Sequence, residues 1–287
     1  MSYGLPAESA PSAPVCYRHP ERETWIECSR CHRPICPECM TAAAVGYQCP
    51  ECVRAGAATT RQARTVFGGR LTRDGAVTMS IIGICVGLFV TVSEIGMFGG
   101  LARWGMQPLA IAVFDEWFRL VSSVFLHAGL LHIGFNMYVL FLLGPPLERV
   151  LGHGRFLTLF LISGVGGSVA SYAFSPIRTL SVGASGAIFG LMAAWIVVSK
   201  RLNSDASQVL VLLAINVALG FLLPGIDWRA HLGGAVTGAT VALALTTGRG
   251  QSGRDRLGQQ IVVTALIAAG LVALAIWRTA EIRALVA

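Results

Sequence analysis

From Val77 to the C-terminus the chain is a succession of apolar runs, each about as long as the ~20 residues a helix needs to cross a bilayer. They fall at 77–97, 120–143, 155–175, 183–199, 207–223, 229–247 and 260–277. Lipid offers the backbone no hydrogen-bond partners, so such runs must fold as helices. The expected class is an all-α polytopic membrane protein with seven spans. Only 13% of the 287 residues are charged and 54% are hydrophobic. Soluble domains carry about 25% charged residues, so an ordinary water-soluble globule is excluded.

The N-terminal quarter is different. Residues 1–14 read as a disordered lead, with no basic segment followed by an apolar core, and so not as a cleavable signal peptide. Residues 15–55 form a Cys-rich module, and 56–76 a basic linker. The membrane domain covers 77–250, and 251–287 hold a last helix and tail. Net charge is +7. In a membrane chain that excess marks cytoplasmic loops and the anionic bilayer surface, so no nucleic acid is expected. One side collects Arg61, Arg64, Arg70, Arg73, Arg149, Arg155, Lys200, Arg201, Arg249, Arg254 and Arg256. The other has Arg103, Arg119, Arg178, Arg229, Arg278 and Arg283. The positive-inside rule therefore places the N-terminus in the cytoplasm, with the cell membrane as the expected location. The polar connection 98–119, carrying Trp104 and Trp117, then lies outside. So do the starts of the 183–199 and 229–247 helices.

Seven of the eight cysteines lie between residues 16 and 52. They form Cys16-x2-His19, Cys28-x2-Cys31, Cys36-x2-Cys39 and Cys49-x2-Cys52. Eight thiolate and imidazole ligands in pairs suit about two tetrahedral zinc ions. A disulfide framework is disfavoured in a reducing cytoplasm. So short a segment cannot bury an adequate core, and the metal would supply its folding energy. The module resembles the cross-braced B-box and RING-like zinc folds. That resemblance implies interleaved sets, Cys16, His19, Cys36 and Cys39 on one ion and Cys28, Cys31, Cys49 and Cys52 on the other. Sequential pairing is the alternative.

Polar groups inside a bilayer are costly, and each points to a function. "FLHAGLLHIGFNMYVL" carries His127, His132 and Asn136, the last two one helical turn apart. "GASGAIFG" places Ser185 at a helix start, and "DWRAHLGG" places His231 just inside another. Ser185 and His231 should lie at the same shallow depth. Gly186 with Gly190, and Gly234 with Gly238, are spaced to let those two helices touch. A serine needs a base to become a nucleophile, and a neutral imidazole is the natural one. The Asn136 amide, the His132 N–H and the Ser185 backbone N–H can donate to an oxyanion. Taken singly, His132 and Asn136 also fit interhelical hydrogen bonding.

The segments "EWFRLVSSVFLHAGLLHIGFNM", "GASGAIFG" and "AHLGGAVTG", in that order, resemble the rhomboid family of intramembrane serine proteases. The resemblance covers about residues 77–250 and implies a six-helix core with one added C-terminal helix. It implies Ser185 as nucleophile, His231 as base, and His132 and Asn136 as oxyanion donors. Gly183, Trp117 and Phe118 are the implied substrate-binding positions. The family's Trp-Arg pair aligns with Phe118-Arg119, so the tryptophan is displaced by one to Trp117. Transmembrane proteins are the implied substrates. The zinc module lies outside the family core, where it would regulate or recruit a protein partner. A membrane scaffold, or a ubiquitin-ligase-like protein read from the cross-brace alone, are the competing classes. The presence of both Ser185 and His231 favours the protease.

Overall fold

The computed structural model describes residues 12–59, 64–69, 75–94, 100–222, 225–247 and 253–287. Most of the expected lead, and parts of the linker with Arg61, Arg70 and Arg73, lie outside the described residues. The chain divides into two units, Met1–Gln62 and Ala63–Ala287.

The first unit is built from turns. Strands β1 (Val15–Cys16) and β2 (His19–Glu23) pair antiparallel, as do β3 (Thr41–Ala42) and β4 (Tyr47–Gln48). Helix α1 (Pro50–Thr59) follows and runs past residue 55. Its buried hydrophobic cluster is Cys16, Cys28, Ile35, Cys36, Cys39 and Cys49. Ile35 is the single aliphatic side chain in that set.

The second unit is helical. Helix α2 (Ala76–Leu88) continues as a π-helical stretch, Phe89–Glu94. Short helices α3 (Gly100–Trp104), α4 (Pro108–Phe114) and α5 (Arg119–Ser122) make up the long connection. Then come α6 (Leu130–Leu151), α7 (His153–Phe174), α8 (Ser185–Leu202), α9 (Ser207–Leu222), α10 (Trp228–Thr246) and α11 (Gly253–Val286). Helices α6, α7, α8 and α11 are long and apolar enough to cross a membrane, and Ala76–Val92 and α9 are shorter apolar helices.

The second span differs from its sequence-based bounds of 120–143. Residues 119–125 form α5 and a 3-10 turn, and the spanning helix begins at Leu130. Ser122 Oγ donates to the Trp104 carbonyl at 2.6 Å, and Ser123 Oγ meets Ser168 Oγ at 3.2 Å. These hydroxyls tie the apolar-looking stretch to its neighbours instead of releasing it into a straight helix. At the other end α6 continues through Pro145 and Pro146 to Leu151. The Glu148 carboxylate, fully buried, accepts from Val77 N, Thr78 N and Thr78 Oγ1 at 2.7–3.0 Å. It thereby satisfies orphan N–H groups at the start of α2.

Helices α7, α8 and α10 pack on one another at the centre. Their contact is set by missing side chains, as close packing in lipid requires. A Cβ on Gly234 would lie 2.0 Å from the Gly186 carbonyl oxygen. One on Gly238 would lie 2.3 Å from Gly190 Cα. Both neighbours are backbone and cannot swing aside. Gly238→Ala should therefore cost about 1–3 kcal/mol, the scale of overpacking. The check is thermal unfolding in detergent beside Gly258→Ala, whose Cβ would meet nothing within 4 Å. The Gly258 variant should match the wild type.

Candidate active site

Ser185 is the first residue of α8, and His231 lies in the first turn of α10. The glycine contacts bring these two helix starts together. His231 Nε2 stands 3.0 Å from Ser185 Oγ. The imidazole stacks on Phe189, with centroids 4.1 Å apart and planes at 14°. Phe189 is one turn along α8 from Ser185, so a single helix carries both the hydroxyl and the surface that sets the ring plane. His231 Nδ1 is buried with no hydrogen-bond partner among the described residues.

Gly183 explains the form of the motif before Ser185. Its φ is +132°, and a Cβ there would lie 2.7 Å from His132 Nε2. Both facts favour glycine. Its N–H donates to the Ser123 carbonyl at 2.9 Å, which fixes the approach to α8. His132 Nδ1 accepts from Ala128 N at 3.4 Å. With Nδ1 as the acceptor, Nε2 is assigned the proton, and this nitrogen lies beside Gly183. Asn136 Nδ2 donates to the His132 carbonyl at 2.8 Å. The second amide hydrogen remains for another acceptor. The N–H groups opening α8 have no intrahelical partner and sit at the positive end of its dipole.

Ser185, His231, His132, Asn136 and Gly183 all line one cavity of about 560 Å³. Trp117 and Phe118 do not line it. Trp117 packs edge-on against Tyr172, and Phe118 against Trp104. The adjoining Arg119 is buried, pairs with Glu116 at 2.6 Å and donates to the carbonyls of Ala102 and Gly105. These residues shape the long connection. His127 is fully buried and edge-on to His132, with no partner on either ring nitrogen among the described residues.

Among the cavity residues that the sequence reading did not single out are Asp227, Asn216 and Phe189. Asp227 carried a legible signal, since Asp three residues before an N–H it accepts from is an N-cap pattern. Asn216 was a lone polar residue in an apolar run. Phe189 carried no signal of its own.

In the N-terminal unit two four-ligand clusters form. They are Cys16, His19, Cys36 and Cys39, and Cys28, Cys31, Cys49 and Cys52. This is the interleaved arrangement, not the sequential one. Tetrahedral zinc with Zn–S near 2.3 Å sets sulfurs ~3.8 Å apart. Cys31 and Cys49 sulfurs are 3.7 Å apart, and His19 Nδ1 is 3.3–3.9 Å from its three cysteine sulfurs. The donor set and spacing fit such an ion. Burial raises the Cys16 thiol, but backbone N–H groups of Arg18, Cys36 and His19 outweigh it and lower it to about 6. Cys28 is lowered to about 6 in the same way, by N–H groups of Cys49, Arg30 and Cys31 against burial.

The Rhomboid domain family model matches residues 115–248. Rhomboid protease GluP of Bacillus subtilis (strain 168) is 36% identical over 171 residues, 58% of this chain and 33% of that protein. RHOMBOID-like protein 4 of Arabidopsis thaliana is 39% identical over 149 residues, 49% of this chain and 37% of that protein. Rhomboid-type serine protease 2 of Emericella nidulans is 37% identical over 152 residues, 50% of this chain and 30% of that protein. The chain thus spans about a third of the length of these relatives. Residues 115–248 thus make up a rhomboid domain, and through this domain the chain is similar to these rhomboid proteases.

Proposed function

We propose that this protein is an intramembrane serine endopeptidase that hydrolyses peptide bonds in or near the transmembrane segments of other membrane proteins. The observation that carries the reading is the 3.0 Å contact between Ser185 Oγ and His231 Nε2 at the wall of the cavity. Imidazole takes the serine proton as Oγ attacks the scissile carbonyl. The oxyanion forms among the Ser185 N–H, Asn136 Nδ2 and His132 Nε2. The imidazolium then protonates the leaving amine, and water admitted to the cavity hydrolyses the acyl-enzyme by the same route. Gly183 leaves space beside the nucleophile for the substrate backbone.

Basic residues support the proposed orientation, N-terminus in the cytoplasm of a cell-membrane protein. Lys200 and Arg201 close α8, while Ser185 opens it, about 23 Å away along the 18-residue helix at 1.5 Å per residue. Arg155 and Arg256 both approach Gly68, and Arg64 donates to its carbonyl. The site then faces the outer side. The two Cys/His clusters support about two structural zinc ions in a module that regulates or recruits and does not catalyse. Its Trp25 is 70% exposed, a large apolar anchor of the kind a protein partner covers.

The test is incubation of purified, reconstituted protein with a single-span reporter, followed by mass mapping of the products. One cut near the outer end of the span is expected, and an intact reporter overturns the reading. Asn136→Ala should lower the rate on the order of 10²–10³-fold, the scale of one lost oxyanion donor. A rate within a few-fold of wild type would leave Asn136 as a helix-bonding residue only.

A further inference from the structure

We propose that Asp227 is a positioning residue that holds the Ser185 and His231 helices in mutual register and so sets the geometry of the pair. The inference rests on the proteolytic reading above.

The dyad has little holding it directly. One hydrogen bond joins its members, and the far nitrogen of His231 meets no partner among the described residues. Among the described residues no third side chain fixes the ring as the carboxylate does in a Ser-His-Asp triad. Phe189 sets the ring plane, but its height relative to Ser185 depends on where α10 begins.

Asp227 defines that beginning. It is the N-cap of α10, and Oδ1 accepts from Ala230 N at 3.2 Å. Its carbonyl accepts from His231 N at 3.2 Å, so imidazole and carboxylate are one turn apart on one rigid element. The other carboxylate oxygen reaches two further elements. Oδ2 accepts from Ser181 Oγ at 2.6 Å and from Ser171 Oγ on α7. Ser181 exchanges two backbone bonds with Met106, at 2.9 and 3.0 Å. It is separated from Ser185 by three residues, one of them the Gly183 already bound to Ser123. Ser171 is fully buried and meets Ser175 Oγ at 3.2 Å. One carboxylate thus joins the segment leading into the nucleophile, the helix carrying the base, and α7, which packs on both α8 and α10. A displacement of either side by an ångström would be felt at the 3.0 Å contact.

Asp227→Ala should lower kcat by about 10- to 100-fold, the cost of an ångström-scale misplacement. KM should stay within about 3-fold, because the carboxylate oxygens are engaged by Ala230, Ser181 and Ser171. Ser185 labelling by a fluorophosphonate probe should slow in parallel. Asp227→Asn should recover most of both rates, since asparagine caps equally well and serine hydroxyls can rotate to suit the amide. Ser181→Ala removes one arm and leaves the cap, so it serves where Asp227→Ala fails to fold. It should slow kcat and labelling together. Equal labelling in wild type, Asp227→Ala and Ser181→Ala overturns the proposal, as does an asparagine variant no better than alanine. Wild-type protein that neither labels nor cleaves overturns the proteolytic reading instead.

Discussion

Replacing Ser185 with alanine should reduce proteolysis to background, a loss on the order of 10⁶ in kcat, the scale on which removing one member of a cooperating nucleophile–base pair has its effect. In the proposed mechanism the hydroxyl supplies the atom that attacks, and no other nucleophilic side chain is within reach of His231 Nε2 among the described hydrogen bonds. The fold should be indifferent to the change. Ser185 lines a cavity, so the imidazole it leaves behind can be solvated, and one hydrogen bond contributes about 1 kcal/mol. Thermal unfolding should stay within a few degrees of wild type while labelling by a fluorophosphonate probe disappears. His231→Ala should be as inactive, and the double variant no worse, because the two groups act as a unit. Continued cleavage by a pure Ser185→Ala preparation would rule the mechanism out.

Removing metal should unfold the N-terminal unit and leave the dyad intact. The physical reason lies in its core, where five of the six buried residues are cysteines and the sixth is Ile35. Without a metal the thiols cluster with nothing to bind them, and one aliphatic side chain cannot offset the entropy of ordering the chain. A structural zinc contributes about 10–16 kcal/mol at neutral pH, far more than a domain's net stability. Elemental analysis should find about two zinc ions per chain, from eight ligands at four each. After chelation, protease nicking within residues 12–59 should rise sharply, while Ser185 still reacts with the probe. Loss of probe labelling from a helical unit that remains folded would show that the N-terminal unit belongs to the catalytic machinery.

Much of this arrangement was legible because it rests on short-range chemistry. Four x2 ligand pairs announce metal-binding clusters, and Gly186, Gly190, Gly234 and Gly238 announce the α8–α10 contact. That contact alone places the starts of two helices side by side, and Ser185 and His231 with them. What was not legible depends on partners distant in sequence. Residues 120–129 have the composition of a membrane helix, and only the neighbours of Ser122 and Ser123 reveal why they turn instead. The Gly-Pro-Pro at 144–146 has the form of a helix stop. Yet α6 continues, with Pro145 packed against Gly75 and Glu148 reaching α2. The bonds from Ser171 and Ser181 to Asp227 span 56 and 46 residues, beyond any local pattern.

The C-terminal helix has a consequence for the surrounding lipid. Its 34 residues extend for about 51 Å, against a hydrocarbon layer of about 30 Å. Near one end Gln260 is buried, holding the Leu245 carbonyl and Arg155. Near the other, Arg283 holds the Ala112 carbonyl and Asp115, and Arg278 the Ser175 carbonyl. Gln260 and Arg283 are about 35 Å apart along the axis at 1.5 Å per residue. Pinned at both ends, α11 is a strut of fixed length that can neither shorten nor tilt on its own. Any difference in thickness must be absorbed by the lipid beside it, at a fraction of a kcal/mol per ångström. The protein thus carries its own ruler, and the membrane is the softer of the two.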